Sequence, residues 1–143
     1  MPPLLAAMRA LQTVLEDYDA AASQRTGLGR NDWRCVRMLV ETGAARPSAI
    51  QAALGLTSGS VTALLDRLER RNLVQRAHDA SDRRALLVYP TQAARSLFEN
   101  AHAPLSQVTA RLSERLGEDR SAVQIKQFTD CARLVEWAGA KGM

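Results

Sequence analysis

Residues 47–72 read PSAIQAALGLTSGSVTALLDRLERRN and carry two helices of unequal length in close succession. Pro47 starts the first, and Ser48 and Gln51 have the spacing of a capping box, in which hydroxyl and amide satisfy each other's free backbone N–H groups. Gly55 ends it about a turn and a half later. Thr57-Ser58-Gly59-Ser60 then opens a longer helix whose apolar residues Val61, Leu64, Leu65 and Leu68 recur at the helical period. Asn72 marks its end, being one of the few non-glycine residues that accept a left-handed backbone. The face away from the apolar stripe holds Ser58, Ser60, Thr62, Ala63 and Arg67. Such a helix suits the B-DNA major groove, about 12 Å wide, with a bare N-terminus where a phosphate approaches free N–H groups. Arg67, a turn or more further on, is placed for a base edge or a far phosphate.

Working outward, the period changes after Asn72. Leu73–Ala77 and Ala85–Tyr89 are short strand-like runs on either side of the polar stretch His78–Arg84, which predicts a β-hairpin with an arginine-bearing tip. Arg83 and Arg84, just after the turn, are positioned for the adjacent minor groove, and Arg76 joins them as a DNA-facing cation. Asp79 and Asp82 are out of place beside a polyanion unless they work internally. Asp82 is expected to pair with Arg84 or Arg76 and so hold the tip in shape. Upstream, a helix from about Asp32 to Glu41, capped by Asn31 or Asp32 and stopped by Gly43, buries Trp33, Val36, Leu39 and Val40. Two helices, a third after a short connection and a two-stranded hairpin make a winged helix-turn-helix: a mainly α fold with a small β-hairpin wing.

The run from Leu54 to Arg76, followed by Asp79-Ala-Ser-Asp-Arg-Arg84, resembles the DNA-binding region of MarR-type transcriptional regulators. Asp32-Trp-Arg-Cys-Val-Arg-Met-Leu39 resembles that family's second helix. The similarity is dense from about 28 to 95 and rests elsewhere on helix pattern and length. It implies an obligate homodimer with interlocking first and last helices, a recognition helix at 58–71 and a wing at 73–89. It also implies release from DNA by a small phenolic or other lipophilic ligand, or by thiol oxidation. Asn72 replaces a usual glycine, Pro90 a usual leucine, and Ala94 a common glycine. These departures bear on how the wing meets the following helix rather than on the fold.

The flanks support the same organisation. Leu4, Met8, Leu11, Leu15 and Tyr18 form an amphipathic stripe to about Ser23, broadened by Val14. Thr91 caps a helix bearing Leu97, Phe98, Ala101 and Leu105, which continues through Val108, Leu112 and Leu116 with Pro104 expected to kink or divide it. After Gly117 a last helix carries Val123, Phe128, Cys131 and Val135. These stripes exceed what a compact three-helix DNA module covers, so residues 1–27 and 91–143 are expected to form a helical dimerisation region around the DNA-binding region 28–90, all as one integrated domain. A symmetric dimer places two recognition helices about one DNA turn apart, so the operator is expected to be an inverted repeat.

The 143 residues are 46% apolar and 4% aromatic, with a formal charge of +4. Residues 25–95 hold twelve arginines against six acids, a basic middle between mildly acidic ends. That distribution favours a polyanion partner, although an arginine-rich composition alone produces a similar balance. No apolar run reaches the ~18 residues of a membrane span, and MPPLLAAMRALQ lacks the pattern of a secretory signal, so the expected compartment is the cytoplasm. Cys35 and Cys131 are too far apart for a metal knuckle and are read as small buried residues, although Cys35 between Arg34 and Arg37 has the setting of a redox thiol. His78 and His102 complete no ligand cluster, so no metal or cofactor is expected. No nucleophile elbow, P-loop, dinucleotide-binding glycine run or metalloprotease helix is present, and no enzyme is expected. Asp66 and Glu69 are explained as a salt-bridged face near Arg67, Arg70 and Arg71.

The functional expectation is a homodimeric, sequence-specific DNA-binding regulator, a repressor relieved by a small lipophilic or phenolic ligand. Tyr18, Trp33, Val36 and His102 are candidate effector-pocket residues, and are equally well explained as core. The alternatives are a helical ligand-binding or interaction module that has lost specific DNA binding, and a non-specific architectural DNA binder. Arginines at positions 67, 83 and 84 favour the first reading.

Overall fold

A computed structural model describes the backbone of residues 1–82 and 84–140, and the side chains of these as far as Val135. The order is α1 (Pro3–Thr26), α2 (Arg30–Thr42), α3 (Pro47–Leu54), α4 (Ser58–Arg70), β1 (Val74–His78), β2 (Leu86–Pro90), α5 (Gln92–Leu116) and α6 (Glu118–Ala140). This is the mainly helical, hairpin-bearing architecture expected. By packing, the chain divides into two compact units, Met1–His102 and Ala103–Met143.

In the first unit the core is Trp33, Val36 and Leu39 of α2, Ile50 and Leu54 of α3, the four apolar residues of α4, and Val74 and Val88 of the hairpin. The i, i+3, i+4 spacing on α4 turns Val61, Leu64, Leu65 and Leu68 to one side, all 2% exposed or less. β1 and β2 pair antiparallel with Val74 opposite Pro90 and His78 opposite Leu86. Pro90 is therefore the last paired residue of β2, as a proline at the end of a strand allows. Ala45 adds an unforeseen third rung, exchanging backbone hydrogen bonds of 3.0 and 2.9 Å with Val88. A single alanine between Gly43 and Pro47 gives no alternating pattern that sequence reading could detect.

Two helix starts differ from expectation. Gly29, not Asn31 or Asp32, is the N-cap of α2, and no side chain caps it. Ser48 and Gln51 form no capping box; Arg46 is the N-cap of α3 with no side-chain bond, and Pro47 occupies the first turn, where its missing N–H costs nothing. At α4 the cap is Thr57, whose hydroxyl accepts the Ser60 N–H at 3.2 Å.

Asn72 has φ +55°, the left-handed geometry its position requires. Thr91 Oγ1 donates to the Asn72 carbonyl at 2.7 Å and accepts the Ala94 N–H at 3.2 Å, so one side chain ties the end of α4 to the start of α5. The Ala94 methyl is fully buried in the core.

α5 runs through Pro104 without dividing. Tyr18 Oη (2.7 Å) and Arg25 Nη2 (3.3 Å) both donate to the Ala101 carbonyl, three residues before that proline. Side chains of α1 thus serve the stretch of α5 where a proline disturbs the backbone ladder.

In the second unit, Gly117 with φ +77° joins the end of α5 to α6. Ser113 and Ser121 hydrogen bond across the turn at 3.0 Å. Ser106, Thr109, Leu112, Ile125 and Phe128 line a groove of about 390 Å³ between the two helices.

Candidate nucleic-acid interface

With its apolar stripe buried, α4 turns Ser58, Gly59, Ser60, Thr62, Ala63, Asp66, Arg67 and Arg70 outward, all exposed. The outward side of the first two turns carries only small side chains, and a Cβ added at Gly59 would meet nothing within 4 Å. This end of the helix can therefore approach another surface closely. The hydroxyls there are already engaged: Ser60 Oγ accepts from Thr57 Oγ1 at 2.8 Å, and Thr62 Oγ1 donates back to the Ser58 carbonyl at 3.0 Å. Each keeps accepting capacity for a donor in a groove.

Arg67 does not stand free beside them. Its Nη2 donates to Asp32 Oδ1 at 2.7 Å and its Nε to Asp32 Oδ2 at 3.2 Å, a two-pronged pair between α4 and the first turn of α2. Asp32 has only 12% of its side chain exposed, and its hydrogen bonds and charge raise the Arg67 pKa above its ordinary value. The clue was in the sequence: Asp32, Val36 and Leu39 share one stripe, and an acid on an apolar stripe needs a cation. Arg71, at the end of α4, donates to the Gly27 carbonyl at 2.9 Å and the Thr26 carbonyl at 3.4 Å, closing the C-terminus of α1.

The third strut corrects two expectations. Arg76 on β1 holds Asp66 Oδ1 at 2.7 Å and Glu69 Oε2 at 2.6 Å, both on α4, and reaches the Thr62 carbonyl at 3.4 Å. Asp66 and Glu69 thus pair with the wing rather than with Arg67, Arg70 or Arg71. Arg76 is committed to α4 instead of being turned outward as a DNA-facing cation, and it does not pair with Asp82. Hairpin and helix share one outer surface because this guanidinium, 23% exposed, joins them.

At the tip, Asp82 acts on the backbone. Its Oδ1 accepts the Arg84 N–H at 3.0 Å, an Asx turn in place of the expected ion pair, while its carbonyl accepts from Ala85. Asp79 Oδ1 accepts from the Ser81 N–H at 2.8 Å and the Ser81 hydroxyl at 2.7 Å, and these bonds lower its pKa. Both acids are spent inside the turn, leaving the Arg84 side chain exposed at the tip. Arg83 lies outside the described residues.

The candidate effector residues do not line one surface. Val36 is wholly buried in the core. Trp33, Phe98 and His102 stack, with Phe98 and His102 ring centres 4.1 Å apart, and Tyr18 tilts against His102 at 5.8 Å. Trp33 also borders a hollow of about 290 Å³ with Glu16, Asp19, Arg30, Arg34 and Arg37. Within it Asp19 accepts from Arg37 and, at 3.4 Å, from Trp33 Nε1. Cys35 is fully buried and desolvation, helped by the charge of Asp32, pushes its thiol up to about 12, whereas Cys131 is half-buried.

Residues 28–86 match the MarR family model. The chain is 35% identical over 108 residues to the HTH-type transcriptional regulator YcgE of Bacillus subtilis, covering 76% of this chain and 69% of YcgE. The chain belongs to the MarR family. Among solved structures, a point mutant of MepR from a multidrug-resistant S. aureus clinical isolate superposes with TM-score 0.76 at 19% identity over 94% of this chain and 99% of MepR. NadR, solved in complex with 4-hydroxyphenylacetate, superposes with TM-score 0.63 at 20% identity over 90% of each chain. These likenesses establish the winged-helix fold. As a MarR-family member the protein is a DNA-binding transcriptional regulator. No single helix among the described residues is long and apolar enough to cross a membrane.

Proposed function

We propose that this MarR-family regulator is a homodimeric repressor that reads an inverted-repeat operator and is released by a small lipophilic or phenolic ligand. The observation that carries the reading is the Arg76 strut: it joins a bare-ended recognition helix and an arginine-tipped wing into one surface. Ser58, Ser60, Thr62 and Ala63 read base edges by close approach, and Arg83 and Arg84 enter the flanking minor groove.

Dimerisation is supported by large apolar side chains left in solvent. In the first unit, Leu4 is 67% and Val14 63% exposed; in the second, Val108, Ile125 and Phe128 are 60% exposed or more. Stripes of this extent on a monomer mark an interaction surface. Residues 1–27 and 91–143 supply it, around a DNA-binding region of 28–90.

For the ligand, the hollow beside the buried Trp33 brings Arg30, Arg34 and Arg37 together with Glu16 and Asp19. A guanidinium there suits the carboxylate of a small aromatic acid. NadR's bound 4-hydroxyphenylacetate is a phenol of that class. The test is DNA binding by the purified protein with light scattering of the free protein, repeated with 4-hydroxyphenylacetate and related aryl acids. A dimer that binds one DNA tightly and is released by an aryl acid supports the proposal; a monomer, or a dimer indifferent to every such acid, contradicts it.

A further inference from the structure

α4 and its C-cap carry three arginines, and the structure gives each a different fate. Arg71 closes the C-terminus of α1 and Arg67 is held by both oxygens of Asp32. Arg70 engages only through Nε, which donates to the Asp66 carbonyl of its own helix at 3.2 Å. Arg70 lies nine residues beyond Val61, about two and a half turns at 3.6 residues per turn, so it leaves α4 on the side opposite the buried stripe. Gly59 and Ala63, at i−11 and i−7, lie on that same ridge. The neighbouring carboxylates, Asp66 and Glu69, are held by Arg76 and so do not pair with Arg70.

We propose that Asp32 withholds Arg67 from DNA, and that Arg70 is the cation α4 presents to a backbone phosphate. An arginine on a phosphate adds affinity for every sequence alike. Holding Arg67 against α2 therefore keeps non-specific binding down and leaves more of the affinity to the base-reading end of the helix. Asp32 is in this sense a specificity-determining residue that never touches DNA. The inference rests on α4 being the DNA-facing helix, and its test needs neither an operator nor an effector.

The experiment is the salt dependence of binding to a random-sequence duplex, for the native protein, Asp32→Asn, Asp32→Asn/Arg67→Gln and Arg70→Gln. Each phosphate contact contributes about 0.9 to the slope of log K against log salt. Asp32→Asn releases Arg67 and is expected to tighten random-DNA binding and steepen the slope by about 0.9 per DNA-bound protomer. The double variant is expected to return to the native slope, and Arg70→Gln to flatten it by about 0.9 per protomer. A flatter slope in the double variant would show that Arg67 already contacts phosphate and would overturn the proposal. An unchanged slope in Asp32→Asn overturns the withholding, and an unchanged slope in Arg70→Gln overturns the assignment of Arg70. If Asp32→Asn alone fails to fold by circular dichroism, the double variant, with no charge left unpaired, decides. Loss of all random-DNA binding by the native protein would instead count against the DNA-facing surface itself.

Discussion

Arg76 Nη2, on the first strand of the wing, lies 2.7 Å from Asp66 Oδ1, on α4. With Glu69 on the other prong, this fork ties the hairpin to α4. The pairs are largely exposed on the acid side, 52% at Asp66 and 43% at Glu69, so each contributes only about 0.2–1 kcal/mol to stability. Arg76→Ala is expected to lower thermal stability by about 1 kcal/mol and DNA affinity by more, because a loose wing must be ordered on binding. Parallel melting and DNA titration separate the two; equal losses would reduce Arg76 to an ordinary surface pair.

The wing tip gives a second expectation. Replacing Arg83 and Arg84 together by alanine should weaken DNA binding and flatten its salt slope by about 0.9 per lost phosphate contact, with the oligomeric state unchanged by light scattering. Asp82→Ala should weaken binding in the same direction without that slope change, since it removes only the acceptor of the Arg84 N–H.

How much was legible in advance follows from which forces act locally. The α4 stripe, the Thr91 cap and the Asn72 turn are set by residues within a few positions of one another, and each was readable. The partners of Arg67 and Arg76 are not local. Thirty-five residues separate Arg67 from Asp32, and ten separate Arg76 from Asp66. Which arginine meets which acid depends on packing, so Asp82 was given a partner that belongs to Asp66 and Glu69. The same limit applies to the hollow beside Trp33, whose arginines and Asp19 come from two helices. Local signals also compete: Ser48 and Gln51 have capping-box spacing, yet Pro47 fixes the helix start by itself.

Thr57 makes a sharp stability test because its hydroxyl is the sole side-chain cap of α4. Thr57→Ala should destabilise the protein by about 1 kcal/mol, and Thr57→Ser should retain most of that, read by chemical denaturation. Equal destabilisation by both would mean that the methyl, not the hydroxyl, matters.

Cys35 bears on redox control. Its thiol is raised from 9.0 to about 12 by burial and by Asp32, so near neutral pH it is protonated and shielded. In a Cys131→Ser background it should resist a thiol reagent until the protein is unfolded. Between pH 9.0 and about 12 the unfolded chain gives up this proton while the folded one keeps it, so stability should fall as pH rises through that window. Rapid labelling of the native variant would reopen a sensing role.

The measurement that tests the central claim most directly is selection of bound DNA from a random-sequence pool by the purified protein, followed by titration of the enriched sequence against random duplex at about 0.2 M salt. The account predicts an inverted repeat with half-site centres about one turn apart, bound at least about a thousandfold more tightly than random DNA, with that preference lost when Ser58, Ser60, Thr62 and Ala63 are exchanged. A pool that enriches no common sequence, with binding that vanishes at that salt, would contradict it.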